Sequence, residues 1–476
     1  MKYCYSLSLV LLILSSCTTA QTPHPRKLKF PPLKFEPPKA EELTLSNGIK
    51  VILVENHELP TFQMALWVRG GYQNESLDKI GLGGLFQSVM REGGTKSRKP
   101  DALNQELESM AATVETWVNE EAAGMRCSSL KKYMDQTLDL FCDVLFNPAF
   151  SEDKLRQRKQ ESLEGIRRRN DRPRPIATRE FRTSLYGSKH PSGWRTEPET
   201  INAITRSDLV SFHKKYFVPK GAMISASGDF NTDEFMKKLE KLLGSWTGEA
   251  PKMSAPAQVK KEFKRRVILV EKEVAQSTIR IGHLGLKRHN PQRYAYIVLN
   301  EILGGASFTS RFVREIRSRR GLAYSVWSYF TEGRDYGMIL GGGQTKAEST
   351  AQTIELMLQM MKEITEKPVT DQELTLAKQS IINSFVFRFD SLARVVRQQL
   401  HLKYYGYPDD YLQNYTRKIE SVTKEDVLRV AGKFLHPEQT VILVVGNSKK
   451  FDKPLSAFGK VETIKLRDYS AALKRN

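Results

Sequence analysis

The segment INAITRSDLVSFHKKYFVPKGAMISASGDF (201–230) decides the fold of this 476-residue chain, because it recurs as IESVTKEDVLRVAGKFLHPEQTVILVVGNS (419–448). The beginnings of the two halves also match, since VILVE at 51–55 returns at 267–271. The matched pairs of the longer repeat are Ile201 and Ile419, Thr205 and Thr423, Asp208 and Asp426, Pro219 and Pro437, and Gly228 and Gly446. A repeat of this length predicts that the chain is an internal duplication.

Each half begins with a β-branched strand, continues through long amphipathic helices and closes with a helix, an x-Pro turn and a strand. Helices in runs with strands at both ends predict an α+β fold, in which two homologous domains each have a mixed or antiparallel sheet covered by helices. We expect domains at 41–248 and 264–476. The stretch between them, 249–263, contains Pro, Ala and Lys without apolar periodicity and is predicted to be a surface linker.

The N-terminus has the layout of a secretory signal peptide: Lys2, an apolar run over 7–14 and then small residues. Its end, Leu14-Ser15-Ser16-Cys17, resembles the bacterial lipobox, which implies a signal over 1–16 and lipidation of Cys17. A simple signal cleaved nearby, with an incidental cysteine, is the alternative. Six prolines between Gln21 and Lys39 predict an extended tether within 17–40. Thr18 after the cysteine is what such lipoproteins show when they are sorted to the outer membrane, facing the periplasm.

The composition is that of a globular protein, with 40% hydrophobic and 27% charged residues. No segment after the signal is apolar enough to cross a bilayer. Two cysteines, Cys127 and Cys142, fall in the folded body. They could pair in an oxidising periplasm, and two buried thiols are the favoured alternative. No cysteine spacing indicates zinc.

The formal net charge of +20 is compatible with nucleic acid, anionic lipid or acidic peptides as partners. An exported lipoprotein is not expected to bind nucleic acid, and the densest basic cluster, 164–182, has no interleaved aromatic platform. Runs of charged residues usually form a solvated helix face. We therefore interpret 164–182, with its Arg-rich part 167–182, as such a face by default. The alternative is that these arginines line a cavity.

The stretch GLGGLFQSVMREGGT (81–95) has apolar residues at the i, i+3, i+4, i+7 and i+8 positions of a helix. Its other face holds Gly84, Gln87 and Ser88. Two glycines near the start of a helix cost roughly 1 kcal/mol each relative to alanine. We therefore expect that something other than helix propensity placed them there.

Five segments together resemble the pitrilysin superfamily of inverted-motif zinc peptidases, which includes processing peptidases and insulin-degrading enzyme. In chain order they are LSNGIKVILVENHELPTFQMALWVRGGYQNE (45–75), GLGGLFQSVMREGGT (81–95), YGSKHPSGW (186–194), GLAYSV (321–326) and YYGYPDDYLQNY (404–415). They cover the chain from about Leu43 to its end. The resemblance implies the processing-peptidase-like metallohydrolase fold.

In active members the helix matching 81–90 carries H-x-x-E-H, in which two histidines bind zinc and the glutamate activates water. Carried over residue by residue, these positions are Gly84, Gln87 and Ser88, and the third ligand, a glutamate on a later helix, falls on Gly165. None of the four is a suitable ligand or base near neutral pH. The resemblance therefore implies that this chain has no zinc. Its eight histidines have no two members three or four residues apart, so they indicate no relocated site; His57 is expected in a loop and His190 in a structural role.

The second half resembles the region where the family has an arginine and a tyrosine that hold the substrate backbone and the oxyanion. The matching residues are Arg317 and Tyr324. A guanidinium and a phenol can both donate to a peptide carbonyl or an oxyanion. The alternative is that Arg317 belongs to a solvated arginine-rich helix and that Tyr324 only begins a strand.

Some members of the superfamily work as heterodimers of a zinc-bearing chain and a chain without the motif. The resemblance therefore implies a non-catalytic, substrate-positioning subunit, whose partners are a homologous H-x-x-E-H zinc peptidase, a peptide substrate and, through lipid, the envelope membrane. Zinc is expected only in the partner. The alternative function is a stand-alone pseudo-peptidase that acts as a peptide-binding or assembly protein.

Overall fold

We describe a computed structural model over residues 40–250, 253, 257–259 and 263–469. The predicted signal peptide, Cys17, the tether up to residue 39 and parts of the predicted linker lie outside these residues. The domain boundaries stay predictions. Within the linker, Val259 is described and is buried against Tyr186 and Leu284, a contact that the sequence pattern did not indicate.

Within the described residues, fourteen strands form two six-stranded sheets and one short two-stranded pair. In chain order they are β1 Glu41–Thr44, β2 Lys50–Glu55, β3 Thr61–Arg69, β4 Thr113–Val118, β5 Ala122–Leu130, β6 Met223–Gly228, β7 Arg266–Glu271, β8 Gln276–Leu284, β9 Leu286–Lys287, β10 Ala323–Phe330, β11 Glu332–Gly333, β12 Met338–Lys346, β13 Val441–Gly446 and β14 Val461–Thr463.

The α-helices of the described chain surround these sheets. They are α1 Leu82–Glu92, α2 Pro100–Ser109, α3 Met134–Phe146, α4 Glu152–Arg168, α5 Pro173–Tyr186, α6 Pro198–Ala203, α7 Arg206–Tyr216, α8 Thr232–Leu243, α9 Arg293–Asn300, α10 Thr350–Glu366, α11 Asp371–Phe385, α12 Leu392–Tyr404, α13 Tyr411–Glu420 and α14 Lys424–Phe434. Two π-helical segments, Glu301–Gly305 and Val313–Arg319, precede β10.

Five strands of each large sheet have the same topology, and the outer strand differs: β1 is antiparallel to β2, whereas β14 is parallel to β7. The first has the order β1-β2-β6-β3-β5-β4, and the second, counted from its other edge, has β14-β7-β13-β8-β12-β10. In each sheet one inner pair is parallel, β2 with β6 and β7 with β13, while the following pairs are antiparallel. The α+β prediction with two mixed sheets is therefore confirmed.

The quoted repeat forms the same helix and strand in both halves. Helices α7 and α14 both begin with a reciprocal capping box, Thr205 with Asp208 and Thr423 with Asp426. Such a box satisfies backbone N–H groups that the first helical turn leaves without partners. The strands that follow, β6 and β13, lie at the centre of their sheets, so the repeat determines a helix start and a core strand in each half.

One helix of each half covers the sheet of the other half. Helix α5 packs on β13 and β8, where Phe181 joins Ile268 and Leu443 in one buried cluster. Helix α12 packs on β6 and β2, where Leu400 is buried with Ile52 and Trp67. The two halves therefore share their cores.

No helix of the described chain has the length and apolar character needed to span a membrane.

Cys127 and Cys142 are both free thiols, in agreement with the favoured alternative. Burial raises the pKa of each, that of Cys142 to about 12, so neither thiol is a reactive thiolate near neutral pH.

Candidate functional site

Helix α1 forms where the apolar stripe predicts it and is anchored in the first core by Leu85, Phe86, Val89 and Met90. Its N-cap, Gly81, has φ +110°, a left-handed conformation that side chains other than glycine rarely adopt. A Cβ on Gly83 would lie 2.9 Å from Val118 and from a Glu75 oxygen. The close approach of Val118 and Glu75 therefore explains why position 83 is a glycine, but it does not explain the glycine at position 84.

Glu75 caps helix α1 from inside the protein. Its carboxylate accepts hydrogen bonds from the backbone N–H groups of Gly81 at 2.7 Å and Gly83 at 2.6 Å. These bonds favour the charged form, yet burial dominates and raises the pKa of Glu75 to about 7. The helix start thus holds a carboxyl group that titrates near neutral pH.

The four predicted zinc-site positions have no group that could hold the metal. A Cβ on Gly84 or on Gly165 would meet nothing within 4 Å, so both glycines border open space. The Gln87 side-chain oxygen accepts a hydrogen bond from the backbone N–H of Val118 at 3.0 Å, and Ser88 Oγ donates to the Gly84 carbonyl at 3.4 Å. The helix keeps its place, but its ligand set does not fit zinc.

Elsewhere in the described chain, no group of three or more His, Cys, Asp or Glu side chains could hold a metal ion. His283 and His436 come close in space, but His283 uses both ring nitrogens, one to the Leu284 carbonyl and one to the backbone N–H of His436. His190 is buried and accepts from the backbone N–H of Ser192, which agrees with a structural role. His57 follows β2 in a loop, between Glu55 and Asp229.

A cavity of about 800 Å³ opens beside Gly84. Helix α5, the segments before and after it and strand β8 contribute arginines to its wall, and Glu75 is the carboxylate of the wall. The arginines are Arg169, Arg174, Arg179, Arg182, Arg195 and Arg280. The space next to Gly84, one of the predicted zinc-site positions, is therefore strongly basic.

This cavity corrects the default interpretation of the basic cluster at 164–182. Arg167 and Arg168 do form a solvated face, where both pair with Glu164. Four later arginines of the same cluster line the cavity instead. Three of them lie on α5, which packs on the second sheet, and Arg169 lies in the segment between α4 and α5.

Arg317 and Tyr324 come together at the junction of the second π-helical segment and β10. The Arg317 guanidinium carbon lies 5.2 Å from the centre of the Tyr324 ring and 5.5 Å from that of Phe308. Both rings are exposed, Tyr324 to 84% and Phe308 to 73%. The structure thus joins the predicted pair and adds Phe308, whereas the role of the pair stays a prediction.

The neighbouring arginines differ from Arg317 in their partners. Arg311 and Arg314 pair with Glu373, and Arg319 and Arg320 pair with Glu315. Among the described residues no carboxylate pairs with Arg317. Its guanidinium is therefore available for a ligand.

Sequence reasoning did not find Glu75, Phe308 or Arg280. Arg280 is the one charged residue in the strand sequence QSTIRIGHL, and a charge in a buried strand is a signal that could have found it. Glu75 and Phe308 lie in connecting segments without periodicity, so the sequence offers no comparable signal for them.

Comparisons with known proteins find similar sequences for both halves of the chain. Residues 50–193 match the family described as Insulinase (Peptidase family M16), and residues 203–381 match the Peptidase M16 inactive domain. A Bacillus subtilis protein named uncharacterized zinc protease YmxG is 26% identical over 73% of this chain and 84% of its own length. A Helicobacter pylori protein named non-peptidase homolog YmxG is 24% identical over 84% of this chain and 93% of its own.

Two solved structures have the same fold. A peptidase M16 inactive domain from Pseudomonas fluorescens superposes with a TM-score of 0.79 and 26% identity, covering 87% of this chain and 99% of that one. A protease from Helicobacter pylori superposes with a TM-score of 0.77 and 19% identity, covering 86% and 100%.

Proposed function

The chain belongs to the M16 peptidase family as a pseudo-peptidase, and from that premise we propose that it is the substrate-positioning subunit of a heterodimeric zinc endopeptidase. A homologous chain with an intact H-x-x-E-H helix would supply the zinc and the general base. This chain would supply hydrogen-bond donors to the peptide and, later in the reaction, to the oxyanion.

The observation that carries the proposal is the state of Arg317. Its guanidinium lies beside two exposed rings, those of Tyr324 and Phe308, and has no carboxylate partner in the described chain, so its donors are free for a ligand. Such a group can donate to a peptide carbonyl, and Tyr324 can donate beside it. The loss of metal ligands together with the retention of these donors supports a division of labour between two chains.

Reconstitution tests this proposal. The homologue with the H-x-x-E-H motif is purified alone, and each chain is assayed separately and as a mixture against a library of fluorogenic peptides. We expect cleavage only by the mixture, with zinc measured in the partner alone. Full activity of the zinc-bearing chain by itself would contradict the subunit proposal.

We also propose that the subunit is anchored in the bacterial envelope through Cys17, on the outer membrane and facing the periplasm. The support is the sequence alone, a lipobox-like end followed by a proline-rich tether. Cys17→Ala is expected to give a soluble periplasmic product or an uncleaved precursor. A wild-type chain that already fractionates as a soluble protein would contradict the anchor.

A second candidate function is a stand-alone pseudo-peptidase that binds peptides or assembles other proteins. The Helicobacter pylori relative is named a non-peptidase homolog, a name that is compatible with this alternative for that protein. The same reconstitution distinguishes the two candidate functions. A stand-alone binder captures peptides in the absence of a zinc-bearing chain, and adding it to such a chain does not raise that chain's peptidase activity.

A further inference from the structure

The cavity beside Gly84 has more positive charge than its own carboxylates neutralise. Three of its six arginines are paired: Arg169 with Glu197, and Arg179 and Arg195 with Glu180. The other three, Arg174, Arg182 and Arg280, have no carboxylate partner among the described residues. An excess of this kind inside a concave wall attracts anions.

Arg280 is the strongest sign that the excess serves a ligand. Its side chain is only 4% exposed, and its one hydrogen bond in the described chain runs from Nη1 to the Ile279 carbonyl at 2.9 Å. Its Nε is buried without an acceptor there. Burial, and then the nearby Arg174, lower the pKa of Arg280 to about 10, so it is still charged at neutral pH. A buried cation without a counter-charge destabilises the fold.

The second sheet is built to accommodate this guanidinium. Arg280 lies directly opposite Gly342 of β12, and a Cβ on Gly342 would lie 3.0 Å from Arg280 Nη1. The guanidinium also lies over the ring of Trp327, at 5.1 Å from its centre. The glycine and the ring hold the charged group at the cavity wall, where its remaining donors can meet an anion.

The rest of the wall favours a peptide over a small inorganic ion. Trp194, Ile80, Pro175 and Pro191 give it apolar surface beside the arginines, and a volume of about 800 Å³ exceeds what a single phosphate fills. Guanidinium groups bind carboxylates through paired hydrogen bonds. We propose that this cavity binds an acidic segment of a peptide, an inference that rests on the proposed function and names its substrate class.

A binding measurement tests this inference without any partner chain. Fluorescein-labelled hexaglutamate is titrated with the purified full chain and followed by fluorescence anisotropy, with labelled hexaglutamine and hexalysine as comparison peptides. We expect at least ten-fold tighter binding of hexaglutamate than of either comparison peptide, and weaker binding as sodium chloride rises from 50 to 500 mM, since ion pairs are screened.

Two variants assign the binding to the cavity. Arg280→Met should weaken hexaglutamate binding at least ten-fold. Arg182→Gln should weaken it about three-fold. Arg168→Gln, which removes an exposed arginine outside the wall, should change it less than two-fold. Because Arg280 has no internal counter-charge, Arg280→Met should melt no lower than the wild type, whereas a purely structural arginine would lower the melting temperature.

Three results would overturn the inference: equal affinity for hexaglutamate and hexaglutamine, unchanged binding in both cavity variants, or displacement of the probe by inorganic phosphate at equal concentration, which would indicate a simple anion site. Failure here is distinct from failure of the proposed function. A reconstituted pair that cleaves peptides without acidic preference contradicts only the inference, while hexaglutamate binding without partner-dependent cleavage contradicts only the subunit proposal.

Discussion

The side-chain oxygen of Gln87 accepts a hydrogen bond from the backbone N–H of Val118 at 3.0 Å. The residue matched to the family's general base therefore connects helix α1 to strand β4. A carboxylate could accept the same hydrogen bond, but an amide cannot take a proton from water near neutral pH. This position therefore makes a structural contact and offers no general base, and the glycines at two of the predicted ligand positions border open space.

This open space leads to a prediction about metal. Purified wild type should contain no stoichiometric zinc and cleave no peptide. The combined variant Gly84→His, Gln87→Glu, Ser88→His and Gly165→Glu should bind one zinc ion per chain, because a Cβ at either glycine would meet open space. Elemental mass spectrometry after dialysis measures the zinc content of both proteins. The matched control is the same variant with Gly84 retained, which should bind more weakly.

Tight zinc in the wild type would reveal a site that neither the sequence nor the described residues indicate. Absence of zinc in the four-fold variant would mean that helices α1 and α4 no longer have the spacing that a tetrahedral ion needs.

Glu75 should make the stability of the protein depend on pH. Burial raises its pKa to about 7 in the folded state, from 4.5 for an exposed glutamate. The folded state therefore holds a proton that the unfolded chain has released, and the stability this provides is complete below about pH 4.5 and lost as pH rises through 7. The difference of 2.5 pKa units corresponds to at most about 3 kcal/mol.

Glu75→Gln removes this dependence. The amide loses one acceptor toward the N–H groups of Gly81 and Gly83 at every pH, so the expected result is a change in slope. Between pH 5 and 8 the free energy of unfolding of the variant, measured with urea, should rise relative to that of the wild type. Parallel pH profiles would contradict the titration.

The shared cores of the two halves predict a cooperative response to a mutation in one of them. Phe181 on α5 is fully buried against the second sheet, so Phe181→Ala should lower the free energy of unfolding by about 3–5 kcal/mol. Hydrogen exchange should show lost protection in both sheets. Thr178→Ala, at an exposed position of the same helix, should cost little; loss confined to the second sheet would contradict the coupling.

Much of the fold could be predicted because its signals are local. The repeat at 201–230 and 419–448 contains its own capping boxes and apolar strands, and the stripe at 82–90 determines a buried helix face. The exchange of α5 and α12 between halves could not be predicted. An amphipathic pattern tells which face of a helix is buried but does not identify the sheet that buries it.

The site divides in the same way. Matching a motif predicts Gly84, Gln87, Ser88 and Gly165, and likewise Arg317 and Tyr324, whose roles stay predictions. The basic cavity could not, because Arg280 and the arginines of α5 lie about a hundred residues apart in sequence and meet only after α5 crosses to the other half.

Arg317 provides the decisive mechanistic prediction. In the reconstituted pair, Arg317→Ala should lower the rate constant for peptide cleavage while leaving assembly and zinc content unchanged. A hydrogen bond to a charged group contributes about 1.5–3 kcal/mol, so the loss should be on the order of ten- to a hundred-fold. Tyr324→Phe keeps the ring over which the guanidinium lies and removes only the hydroxyl, so its effect measures that donor.

Arg319→Ala is the matched control for this experiment. Arg319 lies on the same π-helical segment, is largely exposed and pairs with Glu315, so its removal should change cleavage less than two-fold. Phe308→Leu keeps an apolar side chain but removes one of the two rings beside the guanidinium of Arg317, so it tests the placement of the guanidinium separately from its hydrogen bonds. It should cause a smaller loss of activity than Arg317→Ala. If the Arg317 and Tyr324 variants retain full activity against several peptides, the substrate-positioning role is wrong, and the stand-alone peptide-binding function becomes the better account of this chain.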